Sequence, residues 1–167
     1  MKRILSGLCC LALCSTAALA QKKAAAMSDQ QFVNLAAQTD MVEANLGQLA
    51  QTASDTQAVK DYGQMLVTEH TNDYNQLYAA AHQANLDVPN AIDSEHNKAM
   101  IDPFQKLKGA AFDRRYIQDM IAGHTKAIEI YKKEAADAQN PSIKSYAEDA
   151  LPTLEKHLAG AKALLKK

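Results

Sequence analysis

Four stretches of this chain repeat apolar residues every three or four positions, and none alternates them at every second position. The first stripe runs Phe32, Leu35/Ala36, Thr39, Val42/Glu43, Leu46, Leu49/Ala50 and Ala53. The second runs Val59, Tyr62, Leu66, His70, Asp73/Tyr74, Leu77, Ala81 and Ala84. The third carries Phe112, Tyr116, Met120, His124, Ala127/Ile128, Tyr131 and Ala135. The fourth carries Ile143, Ala147, Ala150/Leu151, Leu154, His157/Leu158, Ala161 and Leu164/Leu165. This is the period of a helix that buries one face, and four such helices bury their faces by packing on one another. The chain is predicted to be an all-α bundle.

Punctuation residues divide the stripes. Ser28-Asp29-Gln30-Gln31 is a capping box with Ser28 as N-cap, because its hydroxyl and the Gln31 amide can satisfy each other's free backbone donors. Ser54-Asp55 interrupts the first helix and can cap the second, and so short a link makes the two antiparallel. Residues 85–102 form a long connection in which Ser94 can cap a short extra helix. Asp102-Pro103 restarts helical structure, Gly109 breaks it before the third main helix, and Asn140-Pro141 separates the third from the fourth. Pro152 is expected to bend the last helix. Val59-Lys60-Asp61-Tyr62 and Ile143-Lys144-Ser145-Tyr146 form a faint internal repeat, each preceding a histidine on the stripe, as two related hairpins would.

Each stripe also carries an ionisable group: Glu43, His70, His124 and His157. Such a group facing a bundle core costs free energy unless it is paired, hydrogen-bonded or bound to a metal. At ~1.5 Å rise per residue, Glu43 lies ~16 Å and His70 ~24 Å from the first turn, and His124 and His157 lie ~24–25 Å from theirs. All four therefore reach the middle of helices about 40 Å long. Imidazole and carboxylate together suit Fe, Zn, Mn or Cu. The alternative is four separate side chains satisfied by Tyr62, Tyr74, Tyr116 or Tyr146, by backbone or by water. Asp73, three residues after His70, can orient that imidazole, and Asp113 is a further candidate ligand beside Phe112. His82 and His96 fall outside the stripes and read as surface, and Glu69 and Glu155 read as pointing away from the core.

The ends and the composition exclude several functions. Lys2-Arg3, the apolar run Ile4 to Leu13 and Ala18-Leu19-Ala20 have the three-part pattern of a signal peptide cleaved after Ala20. Residues 1–20 are therefore expected to be a leader, 21–27 a flexible mature N-terminus, and 28–167 one bundle domain that is periplasmic or secreted. Cys9, Cys10 and Cys14 all fall in the leader, leaving the mature domain without thiols, disulfides or thiolate ligands. With 18 Lys+Arg against 19 Asp+Glu and no basic patch, nothing marks a nucleic-acid partner. No mature segment is long and apolar enough for a transmembrane span. There is no serine elbow, no glycine-rich phosphate cradle and no Cys-x-x-Cys-His haem motif.

Several segments carry a family resemblance. They are Phe32-Val33 through Leu46-Gly47-Gln48-Leu49-Ala50, Val67-Thr68-Glu69-His70, Gly109-Ala110-Ala111-Phe112-Asp113-x-x-Tyr116, Met120-Ile121-x-x-His124, and Leu151-Pro152-x-Leu154-x-x-His157-Leu158. Together they resemble a secreted bacterial domain-of-unknown-function family grouped with the ferritin-like proteins, whose members are often labelled outer membrane proteins. The resemblance covers the mature chain. It implies a ferritin-like four-helix bundle with a long central crossover and an envelope location, and it brings no activity. Iron-loading ferritin-like enzymes use Glu-x-x-His pairs, whose three-residue spacing puts both ligands on one face. Here Glu69-His70 are adjacent and Glu155-Lys156-His157 are two apart. That pattern favours a histidine-rich mononuclear site, or none, over a carboxylate-bridged di-iron centre.

The leading expectation is a non-enzymatic binding or stress-tolerance protein of the envelope. The alternative is a metal-binding or metal-dependent redox protein using Glu43, His70, His124 and His157. A partner-binding module or homo-oligomer is the third reading.

Overall fold

The computed structural model describes residues 27–165, so the expected leader and nearly all of the expected mobile N-terminus lie outside the described residues. Helix α1 spans Asp29–Ala53, α2 Gln57–Gln83, α4 Gly109–Asp137 and α5 Pro141–Leu165, and α3 is a single turn, Ser94–His96. A π-helical turn, Asn97–Ile101, and a 3-10 turn, Asp102–Phe104, continue α3. No strand occurs among the described residues, and none of their helices is long and apolar enough to cross a membrane.

The Ser28 capping box forms as the sequence predicts, with both reciprocal hydrogen bonds made. Two other caps shift by a residue or two. Thr56, not Ser54 or Asp55, is the N-cap of α2, and its hydroxyl donates to Asp113 (2.6 Å) instead of capping the helix. Asp93, not Ser94, caps α3 by accepting from the His96 N–H. A carboxylate one residue upstream reaches the free donors of the first turn equally well. Gly109 opens α4 at φ +52°, the left-handed region, and a Cβ there would meet Asp55 Oδ2 at 2.8 Å. α5 runs through Pro152 as one helix.

Contacts at the helix ends fix the direction of every rod. Lys108 and Asp113 at the start of α4 reach Thr52 and Thr56 at the α1–α2 turn. At the opposite end, Asp29 accepts from the Gln139 and Asn140 backbone N–H groups, and Ser142 donates to the Ala80 carbonyl. Helices α2 and α4 therefore run parallel, and residues 84–108 must climb the whole bundle between them. Gln30 bonds to Asp87, Gln38 to Ala91 and Asp93, and Tyr74 to the Pro89 carbonyl, strapping this segment to α1 and α2. One long crossover joining two antiparallel hairpins is the connectivity of ferritin-like bundles.

The apolar core is split in two. The upper cluster holds Leu46, Leu66, Phe104, Phe112, Tyr116 and Met120, and the lower holds Phe32, Leu77, Ile128, Tyr131, Ile143 and Leu154. On every long helix the break between the clusters falls at a polar residue: Asp40 and Glu43 on α1, His70 and Asp73 on α2, His124 on α4 and His157 on α5. A polar layer thus crosses the bundle at mid-height.

A second buried carboxyl lies apart from that layer. Glu134 near the end of α4 is 5 % exposed, and its Oε1 has no hydrogen-bond partner among the described residues. Burial, with Asp29 and Asp137 nearby, pushes its pKa up to about 7. Below the ordinary carboxylate range the group is protonated in both the folded and unfolded chain. Between there and about 7 only the folded chain keeps the proton, so stability falls as pH rises through that window. Glu134→Gln should therefore stabilise the protein by about 1–2 kcal/mol at pH 8, a figure reduced for solvent screening at the bundle end. The gain should vanish near pH 4. Urea melts at both pH values check this, and an equal gain at both would refute it.

Candidate metal centre

The four groups expected at mid-height meet. Glu43, His70, His124 and His157 are each at most 4 % exposed. Glu43 Oε2 lies 3.0 Å from His70 Nε2 and 3.2 Å from His124 Nε2, and His124 Nε2 lies 3.1 Å from His157 Nδ1. One ring nitrogen from each of the three imidazoles falls within 4.8 Å of the others, a grouping that could hold a metal ion. Each helix supplies its group because the side chain sits on the buried stripe, where the helical period turns it inward.

The other nitrogen of every imidazole is committed to an acceptor. His124 Nδ1 donates to the Met120 main-chain carbonyl at 2.8 Å, one turn back on its own helix. His70 Nδ1 donates to Asp40 Oδ1 at 2.9 Å, and His157 Nε2 donates to Glu69 Oε2 at 2.9 Å. Carbonyl and carboxylate oxygens only accept, so these three nitrogens carry the protons. In neutral rings, His70 Nε2, His124 Nε2 and His157 Nδ1 are then bare and face one another and the Glu43 carboxylate. Although 3.0 Å apart, His70 Nε2 and Glu43 Oε2 are not aligned for a hydrogen bond, and both atoms lack a well-directed partner among the described residues. A hydrogen bond weakens steeply off-line, so the contact is one of charge and not a directed hydrogen bond.

Electrostatics make the layer internally charged. Burial alone would raise the Glu43 carboxyl, but the His124 and His70 imidazoles beside it prevail and hold its pKa at about 2. Burial opposes a charged His70, yet Glu43 and Asp40 on its two sides hold its pKa at about 10. Burial and the nearby His70 push His157 down to about 4, against the pull of Glu69. Burial also pushes Asp40 up to about 7; the bond to His70 opposes the rise and Asp73 adds to it. Asp73, itself raised by burial, accepts from the Tyr146 hydroxyl at 2.8 Å. The buried Tyr131 hydroxyl meets that of Tyr146 at 3.2 Å.

The second-tier residues do not take their expected places. Asp73 is buried beside the site, but Asp40, not Asp73, holds the His70 ring. Asp113 bonds Thr56 at the bundle end and precedes His124 by eleven residues, about 16 Å along α4. Glu69 does not point away from the core: it is half-buried and reaches across to His157, with Lys156 on its other oxygen. The tyrosines do not satisfy the imidazoles. Tyr62 donates to the His157 carbonyl, Tyr74 to the Pro89 carbonyl and Tyr146 to Asp73. His96 pairs with Asp93 on the crossover, away from the polar layer.

Comparison with curated proteins and with solved structures finds no match. A family profile described as "Domain of unknown function (DUF4142)" matches residues 14–164, nearly the whole chain and every residue of the polar layer. Its description carries no activity. By that match the chain belongs to the DUF4142 family.

Proposed function

We propose that this protein binds one divalent transition-metal ion between Glu43, His70, His124 and His157. A single observation carries the reading: each imidazole spends its outward nitrogen on an acceptor, so that, once His70 gives up its second proton, three lone pairs and a carboxylate oxygen are turned toward one another in a buried layer. Without a cation that arrangement is repulsive, apart from the one proton His70 can hold. Donors about 2.0–2.2 Å from an ion lie about 2.8–3.6 Å apart at angles of 90–109°, and the three closest separations here are 3.0–3.2 Å. Orientation of ligating histidines by carboxylates and carbonyls is a common outer arrangement at metal sites.

Imidazole with a single carboxylate favours zinc, copper, iron or manganese over calcium or magnesium, which prefer all-oxygen shells. With only Glu43 inward and Asp40 engaged by His70, the donor set suits one ion and not a carboxylate-bridged pair. An envelope location is part of the same proposal, supported by the signal-peptide pattern of residues 1–20. The test is titration of chelator-treated protein with cobalt(II) or zinc(II). One equivalent should bind tightly and raise the melting temperature. A protein that takes up neither ion, and whose melting is unmoved by either, would refute the reading.

A further inference from the structure

We propose that Glu69 and Lys156 form a latch on His157 that sets how fast the ion enters and leaves, through the polar depression between α2 and α5. This inference rests on the metal reading and adds its route and its positioning residues.

The ligands are too buried to meet an ion without movement, so one of them must yield. His124 is tied to a carbonyl of its own helix, and His70 to Asp40, a side chain as buried as itself. Only His157 is tied to a group that reaches water. Its Nε2 bonds Glu69, which is 27 % exposed, and Glu69 is held in turn by Lys156, which is 58 % exposed. Lys156 is the chain neighbour of His157, so the pair staples α2 to α5 directly over the ligand.

The surroundings point the same way. Along the bundle axis, the upper and lower apolar clusters close both ends of the polar layer. Between α1 and α2, a depression of about 160 Å³ is lined by Met41, Ala44, Thr71 and Tyr74 with Asp40 and His70, and it offers a hydrated cation almost no exposed polar surface. Between α2 and α5, a depression of about 320 Å³ is lined by Glu69, Asn72, Asp73, Gln76, Asp149 and Lys156 among others. Its carboxylates include Glu69, which holds His157, and Asp73, which accepts from Tyr146. Lys156 is the single cation among its lining residues. Removing that charge leaves an acidic mouth that attracts cations, and it frees Glu69 to release the His157 ring.

The experiment mixes chelator-treated full-length protein with cobalt(II) chloride in stopped flow and measures release into excess EDTA, at one fixed pH. Lys156→Ala should speed both uptake and release about tenfold, the scale of electrostatic steering at a charged cleft, with little change in affinity. Lys156→Arg should restore the parent rates. Lys132→Ala, which breaks the exposed Lys132–Glu155 pair on the other flank of α5, should change neither. Unchanged rates in Lys156→Ala, with cobalt still bound one to one, would overturn the latch and leave the metal site standing. A parent protein that takes up no cobalt would overturn the latch, and one that takes up neither cobalt(II) nor zinc(II) would overturn the metal site with it.

Discussion

Protein carrying His124→Ala is expected to bind a divalent ion about 10²–10³-fold more weakly than the parent, a quarter of the roughly 10–16 kcal/mol that four-ligand zinc sites supply. His124 is central because its Nε2 lies against both Glu43 and His157, so its loss opens two of the three closest donor contacts. The cleanest readout is the rise in melting temperature on adding metal. Deleting a fully buried ring costs stability by its cavity alone, so absolute melting temperatures would mix two effects. At free metal ~1,000 times its Kd, the parent should gain about 4 kcal/mol. For a domain of this size that is a shift of roughly 8–16 °C. At that same free metal, only ~1–10 times the weakened Kd, His124→Ala should keep about 0.4–1.4 kcal/mol of the gain, a rise of roughly 1–6 °C, and His70→Ala should fall similarly. His96→Ala should keep all of it, since that ring pairs only with Asp93 on the crossover. An equal rise in parent and His124→Ala would place the metal elsewhere. No rise in either would leave a polar layer whose only work is structural.

How much of this was legible beforehand differs by residue, for physical reasons. Glu43, His70, His124 and His157 could be read because each interrupts an apolar stripe, and helical rise alone puts all four at one height. Asp40 could not. Thr39 and Asp40 flank the same stripe three and four residues after Ala36, and periodicity cannot choose between neighbours that both fit. Burial of Asp40 follows from which helix lies alongside, and only the tertiary packing fixes that. Glu69 was hidden for a related reason. It sits at the edge of the α2 stripe, and it becomes part of the site only because α5 is the adjacent helix and carries Lys156 next to His157. Asp113 shows the converse error. Its stripe position beside Phe112 is correct, but its height is that of the α1–α2 turn, where Thr56 claims it. The helices themselves were legible almost to their ends, since caps and prolines act locally. The caps of α2 and α3 moved because Asp93 and Thr56 compete with neighbours of similar chemistry.

The second large effect should come from Gly47→Ala, which is expected to destabilise the protein although alanine is the better helix former. Gly47 on α1 and Gly63 on α2 let the two backbones touch. A Cβ on Gly47 would sit 2.5 Å from the Gly63 carbonyl oxygen and 3.0 Å from Val67 Cγ2, and a Cβ on Gly63 would sit 2.9 Å from the Gly47 oxygen. Main chain cannot rotate out of the way as a side chain can, so the helices must part. Overpacking of this kind costs about 1–3 kcal/mol and occasionally more, against about 1 kcal/mol gained from helix propensity. With backbone as the obstacle the upper end of that range applies. The net loss is about 2 kcal/mol, or a melting temperature lower by roughly 4–8 °C. Gly123→Ala is the matched control, because its Cβ would make only ordinary contact, 3.5 Å from Glu43 Oε1, and the propensity gain should survive. Gly47 lies one turn from Glu43, and Gly63 two turns from His70, so parting these helices also separates a carboxylate from an imidazole now 3.0 Å away. Gly47→Ala should therefore weaken metal binding as well as lower the melting temperature. A variant that melts at or above the parent would mean the close approach of α1 and α2 is not required, and with it would go the reason for two small residues facing each other there.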